Sequence, residues 1–177
     1  MTGDFELQPT LEGELLALRP LREEDFEALH AAASDPLIWA QHPNHDRWQE
    51  PVFRDYFEGA IASGGAFAVI DRADGRVIGS TRFYNLRLEE SEVEIGWTFL
   101  ARAYWGGRFN GEMKRLMIDH AFRFVDSVLL VVGPDNRRSQ AAVEKIGGVR
   151  EGTTERNGRG DVVFRIRAED WRRRQGG

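Results

Sequence analysis

The stretch from Trp97 to Lys114, WTFLARAYWGGRFNGEMK, carries the chain out of a strand, through a glycine turn and into a long helix. A helix N-terminus leaves unpaired N–H groups and a partial positive charge, and glycines let that backbone approach an anion closely, so the segment has the makings of a phosphate cradle. Its glycines serve a plain tight turn equally well. A Walker A loop is excluded, because Gly106 and Gly111 have its separation but Glu112 and Met113 stand where lysine and a hydroxyl residue are needed. A dinucleotide fingerprint also fails: the G-x-G-x-x-G spacing is absent, and the preceding strand belongs to an antiparallel meander.

Upstream, Glu92 to Phe99 reads as a strand whose alternation sets Val93, Ile95 and Trp97 on one face and Glu92, Glu94, Gly96 and Thr98 on the other. Before it, Ala66 to Ile70 and Val77 to Tyr84 are β-rich runs joined by the turn Arg72-Ala73-Asp74-Gly75. Leu15 to Leu21 reads as a short strand, and Phe26, Leu29 and Ala33 form the stripe of a helix opened by Arg22-Glu23-Glu24-Asp25. Val52 to Ile61 reads as a second helix, with Pro51 in its first turn and Gly64-Gly65 at its end. Trp39 to Trp48, between the two helices, reads as an irregular loop. Downstream, Met113, Leu116, Met117, His120, Ala121 and Phe124 lie along one helical stripe. Val128 to Val132 is a buried strand, Ser139 to Ile146 a helix ended by Gly147-Gly148, and Val149 to Glu155 pairs with Asp161 to Arg167 around Asn157-Gly158. The fold class predicted is α+β, a mixed, mostly antiparallel sheet flanked by helices.

At 177 residues and 41% hydrophobic the chain can bury one sizeable core, so a single domain over residues 1–177 is expected. The absence of cysteine excludes disulfides, thiolate nucleophiles and cysteine-ligated zinc, and fits a reducing compartment, with the cytoplasm as the expected location. A net charge of -5 argues against nucleic acid as a partner. Met1 to Leu11 lacks a basic start and apolar run, and no stretch approaches the roughly 18 apolar residues of a membrane span, so no export and no membrane are expected. His42 and His45 flank Pro43-Asn44 with Asp46 beside them, but no cluster completes a ligand set, so no metal is expected.

Four separate segments, in order, resemble one family. Leu18-Arg19-Pro20-Leu21 with Asp25, Glu94-Ile95-Gly96-Trp97, Tyr104-Trp105-Gly106-Gly107, and Asn136-Arg137-Arg138-Ser139 followed by Glu144-Lys145-Ile146-Gly147 are similar to segments of the GNAT (GCN5-related N-acetyltransferase) superfamily, within its ribosomal-protein N-acetyltransferase, RimJ/RimL-like branch. The resemblance spans about Leu18 to Trp171. It implies an acetyl-CoA-dependent enzyme acetylating an amine, with the sheet splayed open where Trp97, Thr98, Phe99 and Leu100 pair their backbone with the pantetheine amides. It implies further that the pyrophosphate rests on N–H groups from Trp105, Gly106, Gly107, Arg108, Phe109, Asn110 and Gly111, with Asn136 and Ser139 lining the cofactor. The sequence departs from the family pattern at Arg108 and Asn110, where small residues are common. It also lacks a tyrosine in the Asn136 to Ile146 helix, so no general acid is assigned.

Acetyl transfer needs a neutral amine, donors for the developing oxyanion and a destination for the amine proton. Glu94, on the polar face of the strand beside the acetyl group, is the candidate base, directly or through a water; Glu92 is its rival on the same face. Both are equally readable as solvated strand carboxylates. Backbone N–H near Thr98 or Phe99 is the oxyanion donor. His120 reads as a core histidine, the Trp39 to Trp48 loop as a cover for the acceptor, and Arg172 to Arg174 as a solvated helix end. A peptide N-terminus with a pKa near 7.7–8.0 is roughly a tenth neutral at pH 7, against under about a thousandth for lysine, which favours a protein or peptide N-terminus over other amines. The negative net charge would suit a basic acceptor such as a ribosomal protein or polyamine. The competing expectations are a non-catalytic acyl-CoA sensor or assembly module on the same fold, and an acetyltransferase acting on a small-molecule amine. A homodimer is compatible with each.

Overall fold

The computed structural model describes residues 4–176. In chain order the strands are β1 (Leu11–Glu12), β2 (Leu16–Pro20), β3 (Ala66–Asp71), β4 (Val77–Arg87), β5 (Glu92–Leu100), β6 (Ser127–Val132), β7 (Val149–Arg156) and β8 (Arg159–Arg167). The helices are α1 (Phe26–Ala33), α2 (Glu50–Ser63), α3 (Arg108–Ala121), α4 (Arg137–Lys145) and α5 (Ala168–Gly176). They build the α+β architecture that the alternation of periods predicts. One sheet runs in the order β1-β2-β3-β4-β5-β6-β8-β7. Every neighbouring pair is antiparallel except β5 and β6, which run parallel and are joined by α3 as their crossover.

Two apolar layers sandwich the sheet. Leu16, Leu18, Phe67, Val69, Phe83, Val93 and Ile95 face Met113, Met117, Ile118 and Ala121 of α3. On the opposite face, Ala66, Ala68 and Phe99 meet Leu29, Phe53, Tyr56 and Phe57 of α1 and α2. Asn157 (φ +52) and Gly158 (φ +78) turn the β7–β8 hairpin in the left-handed conformation that Asn-Gly favours. The Trp39 to Trp48 loop is irregular, as expected, apart from the single 3-10 turn Pro36–Ile38 that precedes it. The β1 pairing adds to the elements read from the sequence, and α5 is the helix to which the Arg172 to Arg174 end belongs.

One long-range contact ties α3 to the edge of the sheet. The Glu112 carboxylate accepts from the backbone N–H of Glu14 (2.8 Å), Leu15 (2.8 Å) and Leu16 (2.9 Å), nearly a hundred residues away. Gly13 has no room for a side chain there, since a Cβ would lie 2.4 Å from the carboxyl carbon. The residue that disqualifies the Walker A reading is therefore the anchor that fixes the helix whose N-terminus faces the groove.

Candidate active site

The strand alternation fails at Trp97. Gly96 pairs with Arg82 and Phe99 with Ser80, so Trp97 and Thr98 together oppose the single residue Thr81. This bulge puts Trp97 at φ +56, turns its indole out to 42% exposure, and drops Thr98 against Thr81, with its Oγ1 2.9 Å from that of Thr81. The expected placement of Trp97 with Val93 and Ile95, and of Thr98 with Glu94, is corrected accordingly: one extra residue inverts the faces beyond Gly96.

The bulge also parts the sheet. β5 and β6 pair only at Glu92, Val93 and Glu94, while β6 continues along β8 through Val132. From Ile95 onward the β6-facing edge of β5 is unpaired, and a groove of about 250 Å³ opens in the gap. Trp97, Thr98, Phe99, Leu100, Trp105, Gly106, Gly107, Asn110, Asn136 and Ser139 line it. Arg108, Phe109 and Gly111 share the same helical turn but do not line it; Phe109 packs instead edge-on against Tyr104, at 4.8 Å between centroids.

The floor of the turn is shaped for an anion. Gly106 (φ +119) and Gly107 (φ +101) hold left-handed backbone, and Gly107 is the N-cap of α3. Across the turn, the Lys145 ammonium lies 3.3 Å from where a Gly107 Cβ would stand. The Arg138 guanidinium stacks 3.7 Å from the Trp105 ring centroid, and the indole N–H of Trp105 donates to Leu100 O (2.9 Å). Asn136 caps α4 by accepting the Ser139 N–H (3.3 Å). Free helix N–H groups, two cations and an open strand edge fit an extended ligand with a phosphate end and amide groups. Gly107→Val places a β-branched residue at φ +101, and about a tenfold weaker acetyl-CoA affinity is expected by calorimetry. Gly59→Ala, in a spot with nothing within 4 Å, serves as a control that leaves the affinity unchanged.

Several lining residues carried no motif in the sequence. Lys114 sits one helical turn past Asn110, 6% exposed, and donates to Thr98 Oγ1 (3.0 Å). Burial pushes its amine down to about 8. Because the folded pKa lies below the ordinary 10.5, the charged amine costs stability in full below pH 8, and that cost is relieved as pH rises from 8 toward 10.5. Lys114→Met is therefore expected to raise stability at pH 7 by up to about 3 kcal/mol and to abolish this slope in denaturant melts taken across that window. His42 lines the groove as a neutral imidazole: burial, then the charges of Arg47, Arg159 and Arg138, push it down to about 3. Its Nδ1 accepts the Asn44 N–H (3.0 Å). Among the described residues no group of three or more histidine, aspartate or glutamate side chains is placed to hold a metal, and no helix is long and apolar enough to cross a membrane.

Glu94 is the last β5 residue paired with β6; it precedes the lining residue Ile95, does not itself line the groove, and is 1% exposed. Its Oε2 accepts from Asn85 Nδ2 (2.8 Å) and Arg156 Nη2 (3.0 Å). Its Oε1 lies 2.9 Å from Arg156 without hydrogen-bond geometry, and is a buried acceptor with no donor among the described residues. Glu92 sits two residues farther from the groove, its carboxylate held by Arg87 (2.7 Å) and Arg165 (3.3 Å). Of the three tyrosines, Tyr56 donates to Trp97 O (2.6 Å), Tyr104 donates to Asp71 (2.7 Å), and Tyr84 is paired in register with Glu94, its hydroxyl pushed up by burial first and then by that carboxylate.

A parted parallel strand pair, a bulged β5 and a glycine-entered α3 together define the cradle of an acyltransferase fold. The acetyltransferase (GNAT) domain family model matches residues 16–149, and the chain belongs to that family. Among solved structures it is similar to an acetyltransferase from Agrobacterium tumefaciens str. C58, at 27% identity over 89% of this chain and 94% of that one, with a TM-score of 0.71. A GCN5-related N-acetyltransferase from Brucella melitensis is 20% identical over 97% of this chain and 84% of its own, with a TM-score of 0.85. RimJ from Mycobacterium smegmatis, in complex with CoA-disulfide, is 20% identical over 96% and 90%, with a TM-score of 0.72. The last two likenesses show the fold.

Proposed function

We propose that this GNAT-family acetyltransferase takes its acetyl group from acetyl-CoA and delivers it to the α-amine of a protein or peptide, in the manner of the RimJ/RimL-like branch, as a single cytoplasmic domain. The observation that carries the reading is the unpaired β5 edge from Ile95 to Leu100 running toward the left-handed glycines at the start of α3. The open edge offers backbone partners to the pantetheine amides, and the α3 N-terminus with Lys145 and Arg138 offers charge to the pyrophosphate.

When bound, acetyl-CoA supplies an acetyl group activated as a thioester. The bulged backbone at Thr98 and Phe99 donates N–H to the carbonyl oxygen as negative charge gathers on it. As the C–N bond forms and the thioester C–S bond breaks, Glu94 Oε1, the carboxylate oxygen lacking a donor among the described residues, takes the amine proton through an intervening water, and CoA leaves as a thiolate that takes its proton from solvent. Arg156 and Asn85 hold that carboxylate in place through Oε2. An α-amine is sufficiently neutral near pH 7 for so modest a base. Ile38, Trp39 and His42 of the α1–α2 loop line the 250 Å³ groove together with Trp97, which supports that loop as the wall along which the amine approaches.

The test is release of free CoA thiol from acetyl-CoA in the presence of a peptide with a free N-terminus, its N-blocked lysine-containing counterpart and spermidine. Turnover on the free N-terminus alone supports the reading. Turnover on spermidine or lysine in preference to it contradicts the acceptor assignment, and binding of acetyl-CoA with no turnover on any amine contradicts the transferase in favour of a sensor.

A further inference from the structure

The wall behind Trp97 holds two buried arginines with no acid to neutralise them. Arg82, in the middle of β4, is 6% exposed, and Arg47, in the α1–α2 loop, is 7% exposed. Arg82 Nε and Nη2 are buried without a hydrogen-bond partner among the described residues. Its guanidinium lies 4.4 Å from the Trp97 ring centroid and 5.9 Å from that of Tyr56. Arg47 faces the same two rings, at 5.5 Å and 4.7 Å, and Trp39 at 5.3 Å. Neither pairs with a carboxylate among the described residues; the acid acting on Arg47 through space is its exposed chain neighbour Asp46. Burial lowers the pKa of both, and for Arg47 the charge of Arg82 adds to it. Two other partly buried arginines nearby do have acids: Arg156 has Glu94, and Arg165 has Glu92 and Glu151.

Two like charges taken out of water beside each other destabilise the fold, and aromatic faces return only about 0.5–2 kcal/mol each. An anion placed between them would offset that cost. Trp97 and Gly96 line the groove, so the guanidinium pair stands one side chain behind the wall that an acceptor amine passes. We propose that the acceptor carries a carboxylate close to its amine, held by Arg82 and Arg47 beside Trp97: an N-terminal acidic residue of a peptide, or a free amino acid. This rests on the transferase reading and runs against the basic acceptor that the net charge of -5 suggests. The local pair prevails because surface charge is screened beyond about 8–10 Å, whereas buried charge a few ångströms from the ligand is not.

The experiment is calorimetric titration of the CoA-loaded protein with matched peptides beginning Asp, Asn or Lys, and with free aspartate, alongside CoA release on each. An acidic ligand is expected to bind about tenfold or more tightly than its neutral isostere. The preference should vanish in Arg47→Gln and Arg82→Gln and partly persist in Arg82→Lys. Because Arg82 lacks a partner in the free protein, Arg82→Met should fold and melt about 2–4 °C higher or more. Preference by the peptide arm or by free aspartate decides which source supplies the carboxylate. Equal binding of Asp and Asn ligands, preference for Lys, or a preference that survives both Gln variants overturns the proposal. Acidic preference without CoA release from any ligand keeps the anion site and refutes the transferase; CoA release without preference does the reverse.

Discussion

Glu94→Gln will lower kcat by about 10²–10⁴, the range a positioned general base contributes, while the affinity for acetyl-CoA stays within experimental error of the parent. The substitution keeps the shape of the side chain and leaves an oxygen for Asn85 or Arg156, so it removes charge and basicity with the packing intact. The residual rate should rise about tenfold per pH unit up to the pKa of the acceptor amine, because the amine must then lose its proton to solvent. A purely structural Glu94, serving only as counter-ion to the buried face of Arg156, predicts a lower melting temperature with kcat nearly unchanged. Stopped assays for CoA thiol across pH 6–9 on parent and variant distinguish the two.

Glu112→Ala will cost about 3–5 kcal/mol of stability. Three backbone donors lose one acceptor, and unmet donors cost about 1–3 kcal/mol each, with the exposed Glu14 N–H recovering most of its share from water. For a chain of this size the melting temperature should fall by about 6–20 °C. Arg115→Ala is the matched comparison. Its guanidinium lies 3.7 Å from Glu112 and is half exposed, so its loss should matter by less than about 1 kcal/mol. A loss in Glu112→Ala no larger than in Arg115→Ala would mean that solvent fills the place of the carboxylate.

The periodic parts of this molecule are written locally. The α3 stripe, the Asn157-Gly158 turn, the Arg72 to Gly75 turn and the Pro51 helix start all follow from residues within a few positions of one another, and the structure contains each of them. The groove walls that a glycine turn and four motif segments indicate, from Trp97 to Leu100 and from Trp105 to Gly107, face the gap together. The bulge left no trace of that kind. Gly96-Trp97-Thr98 continues the alternation smoothly, and the positive φ falls on a tryptophan, where neither propensity nor pattern announces it. Arg156 reaches Glu94 from a hairpin 62 residues on, and Glu112 reaches the start of β2 across 96. Such pairings are decided by the folded sheet order, so single-sequence reading finds the carboxylates but not their partners. Arg82 alternates with Ser80 and Tyr84 on a face that reads as polar, so neither its burial nor its approach to Arg47, in an irregular loop, was readable.

The most direct test of the central claim is titration calorimetry of the purified protein with acetyl-CoA, with NAD and ATP as controls. One site per chain, saturable and absent for both controls, is the result that the parted β5–β6 edge and the left-handed Gly106-Gly107 turn predict; no heat with acetyl-CoA, or equal binding of NAD, would contradict the assignment of that groove.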